Sequence, residues 1–461
     1  MSSTPSSFDG RTPKNESTIS VLIVSSAYSE TSLRRQVAEL AKLIDVRVIA
    51  PRTAHVLVFP RYRPVESVPE GRFRTVSNIP LFGTQYLFLT LDLGLRRNPP
   101  DVIHIDYDPW TVVFWQIRLL LWLFSPRTQI IAGSKKNTFR QYPGLLGRAK
   151  RRLAKRGTWS VTHVLCASRK NRDMLTRELG LPRTATTVVT SVGVDVAQFC
   201  PRRAARAQSG PLVVGFCGRM APHKGVLDLV AVVGELVATG WDVELRLLGA
   251  GPLDRLLHQL AAERDWLTLF PAVPVNEVPD FLQSLDIYVL PARNLPDHEE
   301  HDAHALIQAM ACTVPVVATR SGIVPEILNR AHAGLLVDAN DRAAISAALT
   351  VLLENRDLRQ RCGEAGRALA SAFYSIRETA RRQAETYRRV GEDESTLVNG
   401  DSTTRSTLTS RKRVPIAEPT PGQTLARSRI QPGTLMERAR CEEGPNRLGS
   451  RRGSGCRCRR P

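Results

Sequence analysis

Two long stretches of the chain alternate short apolar runs with amphipathic ones, and a polar segment separates them. In the first stretch, apolar runs at 19–24 and 46–50 flank a helix-like spacing over 32–44. In the second stretch, residues 253–264 place their leucines on one helical face. Strands alternating with helices are typical of parallel sheets that helices cover on both sides. The pattern predicts two Rossmann-like α/β domains, joined by a basic linker at 194–210.

The predicted organisation has five parts along the chain. The N-terminus and the tail have polar, low-periodicity compositions that cannot bury enough apolar surface to order themselves, so both are expected to be disordered. The parts are a disordered N-terminus (1–17), an N-terminal domain (18–205), a C-terminal domain (206–375), a helix crossing back to the first domain (376–390) and a disordered basic tail (391–461).

The most apolar run, residues 110–124, is too short to cross a membrane. As a helix it would span roughly 22 Å, whereas the hydrocarbon core of a bilayer is about 30 Å thick. The eight cysteines are scattered and form no CxxC pair, which favours a reducing compartment. We therefore expect a cytoplasmic protein, with possible peripheral contact at the inner face of the membrane.

Basic residues outnumber acidic ones and give a formal net charge of +20, which suits an anionic partner. The densest run lies between Arg148 and Arg156. It is either a solvated helix face or, beside the tryptophans of 110–124, a contact for anionic headgroups of a membrane. No nucleic-acid recognition motif accompanies the run, so no nucleic acid is expected as a partner. Its cations are Arg148, Lys150, Arg151, Arg152, Lys155 and Arg156.

The candidate chemistry is concentrated between residues 290 and 328, where a strand leads through a polar loop into a helix. The loop reads DHEEHDAH at 297–304. Three interpretations remain open for it: a metal site, a solvated acidic loop, or a loop whose carboxylates accept hydrogen bonds from sugar hydroxyls. The HExxH metal pattern is not met, because Asp302 stands where its second histidine would be.

A second candidate is the strand-to-helix loop GFCGRMAPHKG at 215–225. Arg219 and Lys224 could grip a pyrophosphate, with the arginine as a planar fork and the lysine as a point charge. The alternative is a solvated turn. The nearby glycine turn at 249–251 is better explained by close packing of a strand on a helix, because it lacks the full GxGxxG pattern.

Together these motifs resemble the retaining glycosyltransferases of family 4, which have the GT-B fold of two Rossmann-like domains facing a cleft. The likeness covers residues 18–390 and is strongest over 211–375. The resemblance rests on four segments: the 215–225 loop, the helix EHDAHALIQAMACT at 300–313, the turn SGIVPE at 321–326 and the linker SVGVD at 191–195.

The resemblance implies an activity. A sugar would pass from a nucleotide-diphosphate donor to an acceptor hydroxyl with retention of configuration, in polysaccharide or glycolipid synthesis. The implied partners are a nucleotide-sugar donor and a glycan or lipid-linked acceptor, with no metal or other cofactor.

The same resemblance implies roles for individual residues. Arg219, Lys224 and Glu300 would be catalytic, with the two cations holding the donor phosphates. On the acceptor side, the matching positions are His104, Asp106 and Asn137. The donor-binding residues would be Gly218, Val273 in the base-binding stretch 270–274, Glu300 at the sugar, Ala305 and Leu306 through their backbone, Gln308 at the ribose, and Glu326.

Several positions depart from the family pattern. Gln308 stands where the family has a second glutamate, and Asp302 would bring a carboxylate close to the diphosphate. The segment at 25–29 also lacks the family's glycine-rich acceptor loop. These departures motivate an alternative, in which the chain is a catalytically weak or inactive GT-B scaffold that binds a nucleotide-sugar or a partner enzyme.

Overall fold

The computed structural model describes most of the chain between residues 19 and 398. The described ranges are 19–29, 34–52, 72–81, 86–90, 93–137, 144–190, 192–202, 210–296, 298–301 and 303–398. The predictions for residues 1–17, for Asp302 and for the tail beyond 398 therefore lie outside the described residues.

The N-terminal lobe is built on a parallel sheet of seven strands, in the order β3-β2-β1-β6-β7-β8-β9. Its central strands are buried on both faces, which explains their uninterrupted apolar runs. A separate antiparallel pair joins β4 to β5. In chain order, the strands are β1 Ser20–Val24, β2 Asp45–Pro51, β3 Phe73–Val76, β4 Asn78–Pro80, β5 Tyr86–Phe88, β6 Val102–Ile105, β7 Gln129–Ser134, β8 His163–Cys166 and β9 Thr186–Val188.

Helices cover both faces of this sheet and create two separate apolar cores. One core lies under α2 and α4, and the other lies under α1 and the last described helix, α12. No helix of the described residues is both long enough and apolar enough to cross a membrane. The helices of this lobe are α1 Arg34–Ala41, α2 Val112–Phe124, α3 Gly144–Trp159 and α4 Arg169–Leu179.

The C-terminal lobe repeats the plan with a six-stranded parallel sheet, in the order β12-β11-β10-β13-β14-β15. The two parallel sheets confirm the predicted pair of Rossmann-like domains. The strands are β10 Leu212–Cys217, β11 Val243–Leu248, β12 Leu267–Phe270, β13 Ile287–Leu290, β14 Val316–Thr319 and β15 Gly334–Val337. The helices are α5 Val226–Ala238, α6 Asp254–Ala262, α7 Val278–Gln283, α8 His304–Ala311, α9 Val324–Leu328, α10 Arg342–Glu354 and α11 Arg356–Phe373.

The chain passes between the lobes twice, and the two passages are hydrogen-bonded to each other. The Val194 N–H donates to the Tyr374 carbonyl (2.7 Å), and the Ile376 N–H donates to the Val194 carbonyl (3.0 Å). Helix α12, Ile376–Val398, then packs on α1 of the N-terminal lobe. It continues past the predicted end at 390, so residues 391–398, which were expected to be disordered, are helical.

Candidate functional site

The loop after β10 is held in place by glycines. The Gly218 N–H donates to the Leu248 carbonyl (2.9 Å), and Gly218 has a φ of +152°. Gly249 approaches so closely that a Cβ on it would lie 1.9 Å from the Gly218 carbonyl oxygen. A Cβ on Gly251 would lie 2.4 Å from the Met220 carbonyl oxygen. The 249–251 turn therefore serves close packing, as predicted, and fixes the backbone that carries Arg219.

Arg219 has an unused hydrogen-bond donor inside this loop. Its Nε is buried and has no hydrogen-bond partner among the residues that the structure describes. A buried donor without a hydrogen-bond partner costs about 1–3 kcal/mol of stability, and more if the group is charged. Arginine donors are arranged as a planar fork that matches phosphate oxygens. The side chain is therefore suited to an anionic ligand.

Lys224 and Glu300, two of the predicted catalytic residues, form an ion pair. Lys224 Nζ lies 2.7 Å from Glu300 Oε2, and the Glu300 side chain is fully buried while that of Lys224 is 18% exposed. The Glu300 backbone is equally fixed: its N–H donates to Ser321 Oγ (2.9 Å), and its carbonyl accepts from the Ile323 N–H (2.9 Å). The structure thus brings together residues that are far apart in sequence.

Histidine rings lie beside this pair. The rings of His223 and His298 are 4.2 Å apart, and those of His298 and His301 are 5.5 Å apart. Burial, followed by the positive charges of His298 and Lys224, lowers the pKa of His223 to about 4. Within the described ranges, which exclude residues 297 and 302, no group of three or more His, Cys, Asp or Glu residues could hold a metal ion.

Helix α8 presents its first turn to the loop that carries Glu300. Its N-cap residue is Ala303, and no side chain of the described residues caps the helix. The side chain of Leu306 is fully buried in the lobe core, so Leu306 could meet a ligand only through its backbone. Gln308 is 6% exposed, and its side-chain amide forms no hydrogen bond with the described part of the chain. Ala305 is half-buried in the same turn.

The structure also locates Val273, in the predicted base-binding stretch. Its half-buried side chain packs against the core of the C-terminal lobe. Phe270, which ends β12 just before it, stacks edge-to-face on Phe281 with ring centroids 5.6 Å apart. These contacts hold the stretch firmly against α7.

The prediction that Glu326 contacts the donor does not fit its observed contacts. One of its carboxylate oxygens accepts from the Arg169 N–H (2.9 Å) and the other accepts from the Lys170 N–H (2.9 Å). Glu326 therefore caps the first turn of α4 in the opposite lobe, where a negative charge is stabilised by unsatisfied N–H groups and by the helix dipole. Its role in this structure is to join the lobes.

His104, predicted on the acceptor side, faces away from the cleft. It is 4% exposed, and its Nδ1 lies 2.8 Å from the hydroxyl of Tyr387 on α12. Side chains alternate between the two faces of a strand, and His104 lies on the face that α12 covers. Burial lowers its pKa to about 4.

Asp106 remains a candidate at the end of β6. Its carboxylate accepts from Ser25 Oγ (2.7 Å) and from Lys135 Nζ (3.1 Å). Burial would raise the pKa of Asp106, yet the Lys135 ammonium, His104 and the Ser25 hydroxyl outweigh it and hold the pKa below its usual range. Lys135 is 40% exposed, so this ionised pair reaches the surface through the lysine.

Asn137 does not offer a free amide to an acceptor, contrary to the prediction. It is 6% exposed, and its Nδ2 donates to the Glu300 carbonyl (2.9 Å). Its Oδ1 accepts from Ser168 Oγ (2.7 Å). Lys170 of the same lobe forms an ion pair with Glu299. Sequence reasoning missed these contacts between the lobes.

Comparison with known protein families covers both lobes. Residues 29–191 match the family model described as "Glycosyl transferase 4-like domain". Residues 201–369 match the model described as "Glycosyl transferases group 1". Each lobe is thus similar to a glycosyltransferase domain family. Each matched segment coincides with one of the two parallel sheets.

Curated relatives match parts of these glycosyltransferase domains. The chain is 30% identical over 177 residues to the putative colanic acid biosynthesis glycosyltransferase WcaL of Escherichia coli, covering 38% of this chain and 43% of the relative. It is 30% identical over 206 residues to a GDP-mannose-dependent alpha-(1-6)-phosphatidylinositol monomannoside mannosyltransferase of Mycolicibacterium smegmatis, covering 42% and 54%. The chain thus spans about half the length of these curated relatives.

Solved structures share the fold of the glycosyltransferase lobes. Sucrose-phosphate synthase from Thermosynechococcus elongatus superposes with a TM-score of 0.65 at 18% identity, covering 81% of this chain and 99% of that one. HepE from Anabaena, solved in complex with UDP-glucose, gives a TM-score of 0.59 at 16% identity, covering 80% and 100%. The predicted GT-B fold is confirmed.

Proposed function

We propose that the chain is a glycosyltransferase that moves a sugar from a nucleotide-diphosphate donor to an acceptor hydroxyl, with retention of configuration. The observation that carries the proposal is Arg219, whose buried Nε has no partner in the described part of the chain. A diphosphate would satisfy this donor. The first turn of α8, which no side chain of the described residues caps, adds backbone N–H groups that favour an anion.

The chemistry follows from charge. When the bond between sugar and diphosphate breaks, negative charge builds on the leaving phosphate. Arg219, Lys224 and the N–H groups at Ala305 and Leu306 would stabilise that charge, and they need little rearrangement because the surrounding fold holds them. Glu300 would hold Lys224 in position and meet the sugar hydroxyls. This mechanism calls for no metal or other cofactor.

The activities for which two relatives are named support the substrate classes. One relative is named for colanic acid biosynthesis and the other for mannosyl transfer to a phosphatidylinositol monomannoside. HepE was solved with UDP-glucose. We therefore propose a nucleotide-sugar donor and a glycan or lipid-linked acceptor. The amide of Gln308, which can both donate and accept, is suited to ribose hydroxyls.

The test begins with a thermal-shift screen of nucleotide-sugars, because a ligand that binds only the folded state raises the midpoint. Turnover of the best donor is then measured for wild type, Arg219→Ala and Arg264→Ala. Arg264 is the matched control, since its guanidinium already bonds Glu263 and the Leu260 carbonyl.

We expect Arg219→Ala to lose about 10²–10³-fold in kcat, the effect of removing one preorganised donor, while Arg264→Ala retains wild-type rates. Equal rates for both variants would refute the role of Arg219. Donor binding without turnover in wild type would favour the scaffold alternative instead.

We propose also that the N-terminal lobe docks on an anionic membrane at the cytoplasmic face. Large apolar side chains are exposed on α2 and α3, and α3 also carries the basic run. Helix α3 packs against the segment just before α2, because a Cβ on Gly157 would lie 1.9 Å from the Pro109 carbonyl oxygen. The exposed apolar residues are Leu119, Trp122, Leu123, Leu145, Leu153 and Trp159, with exposed fractions of 55, 66, 52, 80, 43 and 57%.

Insertion of the tryptophans and leucines would remove apolar area from water, and the cations would meet anionic headgroups at about 1 kcal/mol each. The two contributions act on the same lobe that would hold the acceptor. Sedimentation with phosphatidylglycerol vesicles at low salt tests the proposal. Failure of the wild-type protein to co-sediment would refute it.

A further inference from the structure

The loop carrying Glu300 is held from both sides of the cleft. Within its own lobe, the Glu300 N–H donates to Ser321 Oγ, and the Glu300 carbonyl accepts from the Ile323 N–H. The opposite lobe supplies a third hydrogen bond, from Asn137 Nδ2 to the Glu300 carbonyl at 2.9 Å. The Glu300 side chain forms an ion pair with Lys224, which lies in the loop after β10.

The orientation of the Asn137 amide is fixed by its other neighbours. Ser168 Oγ accepts from the Asn171 N–H (2.9 Å), so the Ser168 hydroxyl hydrogen is available to donate to Asn137 Oδ1 (2.7 Å). A flipped amide would place its oxygen against the Glu300 carbonyl oxygen. The network therefore assigns Nδ2 to Glu300 and leaves one orientation.

The meeting point has no spare volume. Gly322 has a φ of +51°, and a Cβ on it would lie 1.6 Å from the Glu300 carbonyl oxygen and 2.8 Å from Asn137 Nδ2. Next to it, Glu326 caps α4 and Lys170 pairs with Glu299. Through Asn137 and Lys170, the N-terminal lobe thus contacts both the Glu300 carbonyl and the Glu299 side chain.

We propose that Asn137 is a positioning residue, through which the N-terminal lobe places Glu300, and with it Lys224, for the reaction. The inference rests on the proposed transferase function. It assigns the residue a task on the donor side, since its amide contacts the donor loop. Because the contact crosses the cleft, the catalytic arrangement is complete only when the lobes are together.

A positioning role predicts that substitution of Asn137 lowers the catalytic rate more than it weakens donor binding. Arg219 and α8 belong to the C-terminal lobe, so loss of the Asn137 amide leaves these two donor-binding groups in place. The rate should fall because the Glu300 backbone loses its contact with the N-terminal lobe, so that its carboxylate is less precisely placed. A displacement of about 1 Å can cost on the order of 100-fold.

The experiment compares Asn137→Ala with Gln116→Ala in the full chain. Gln116 is the matched control, because its half-buried amide bonds the backbone of Phe88 within the N-terminal lobe, donating to the Phe88 carbonyl (2.8 Å) and accepting from the Phe88 N–H (2.9 Å). For each protein we would measure kcat, the donor Kd by calorimetry, and amide hydrogen exchange across 298–323.

For Asn137→Ala we expect kcat to fall at least about tenfold, the donor Kd to stay within about twofold, and exchange at the Ile323 amide to accelerate. For Gln116→Ala all three should stay near wild type. Wild-type kcat in Asn137→Ala, or an equal loss in both variants, would overturn the proposal. If wild type itself shows no turnover, the transferase function fails, whereas unchanged exchange in Asn137→Ala would refute the positioning contact independently.

Discussion

The turn at Gly322 offers a sharp test of how the lobes meet, through the substitution Gly322→Ala. The turn lies between β14 and α9, and its glycine has a φ of +51°. The added methyl group would lie 1.6 Å from the Glu300 carbonyl oxygen. The atoms that the methyl group would meet belong to the Glu300 backbone and to the buried Asn137 amide. Neither is a flexible side chain that could move aside.

The cost has two sources. A left-handed conformation at a residue with a Cβ costs roughly 1–2 kcal/mol. To reach an ordinary carbon–oxygen contact of about 3.3 Å, the turn must also retreat by more than 1 Å. That movement breaks the hydrogen bonds from Ile323 and Asn137 to the Glu300 carbonyl, at about 1 kcal/mol each. We expect a loss of about 3–4 kcal/mol in the free energy of unfolding.

The assay is urea denaturation of the full chain, followed by far-UV circular dichroism. Gly240→Ala is the matched control in the same lobe, because Gly240 has a φ of +95° and a Cβ on it would meet nothing within 4 Å. It should show only the conformational cost of about 1–2 kcal/mol. If Gly322→Ala destabilises the chain no more than Gly240→Ala, the close packing of the turn on Glu300 is wrong.

Two further predictions concern the N-terminal lobe. Burial lowers the pKa of His104 in the folded state to about 4, whereas in the unfolded chain the pKa is near its ordinary value of about 6.5. The unfolded chain therefore binds the proton first as the pH falls. The free energy of unfolding should decrease by roughly 3 kcal/mol between about pH 6.5 and pH 4. In urea denaturation at pH 7.5 and 4.5, His104→Gln should lose about that much less than wild type, and an identical pH dependence would contradict the assignment. For the membrane face, Trp122→Ser, which removes an exposed side chain of α2, should weaken co-sedimentation with phosphatidylglycerol vesicles about tenfold or more. Leu256→Ser, an exposed leucine of the other lobe, should bind as wild type does; equal loss in both would show that the binding is not local to α2.

The alternation of apolar runs was sufficient to predict most of the two sheets, because parallel strands buried on both faces read as continuous apolar segments. It failed for β15, Gly334–Val337, whose residues are all half-buried. It failed also for the short pair β4 and β5. Strands of three or four residues at the edge of a sheet carry too little periodicity to be recognised.

The candidate site also contains residues that local sequence patterns point to and contacts that they do not. Arg219 and Lys224 were predicted from a glycine-permissive loop between a strand and a helix, and Glu300 from the family resemblance; their catalytic roles stay predictions. The contacts of Asn137 and Glu326 could not be predicted, because their partners lie about 160 residues away and depend on how the lobes meet. His104 was misplaced for a related reason: the helix that covers it, α12, comes 283 residues later at Tyr387.

The position of α12 has a consequence for synthesis on the ribosome. One core of the N-terminal lobe is completed by Ala380, Ala384, Tyr387 and Val390, which are translated after the whole C-terminal lobe. At about 5–20 residues per second, the apolar face over α1 waits roughly 10–40 s for its cover. During that interval the first lobe exposes apolar surface of the kind that promotes aggregation, and completion of this core coincides with the arrival of α12.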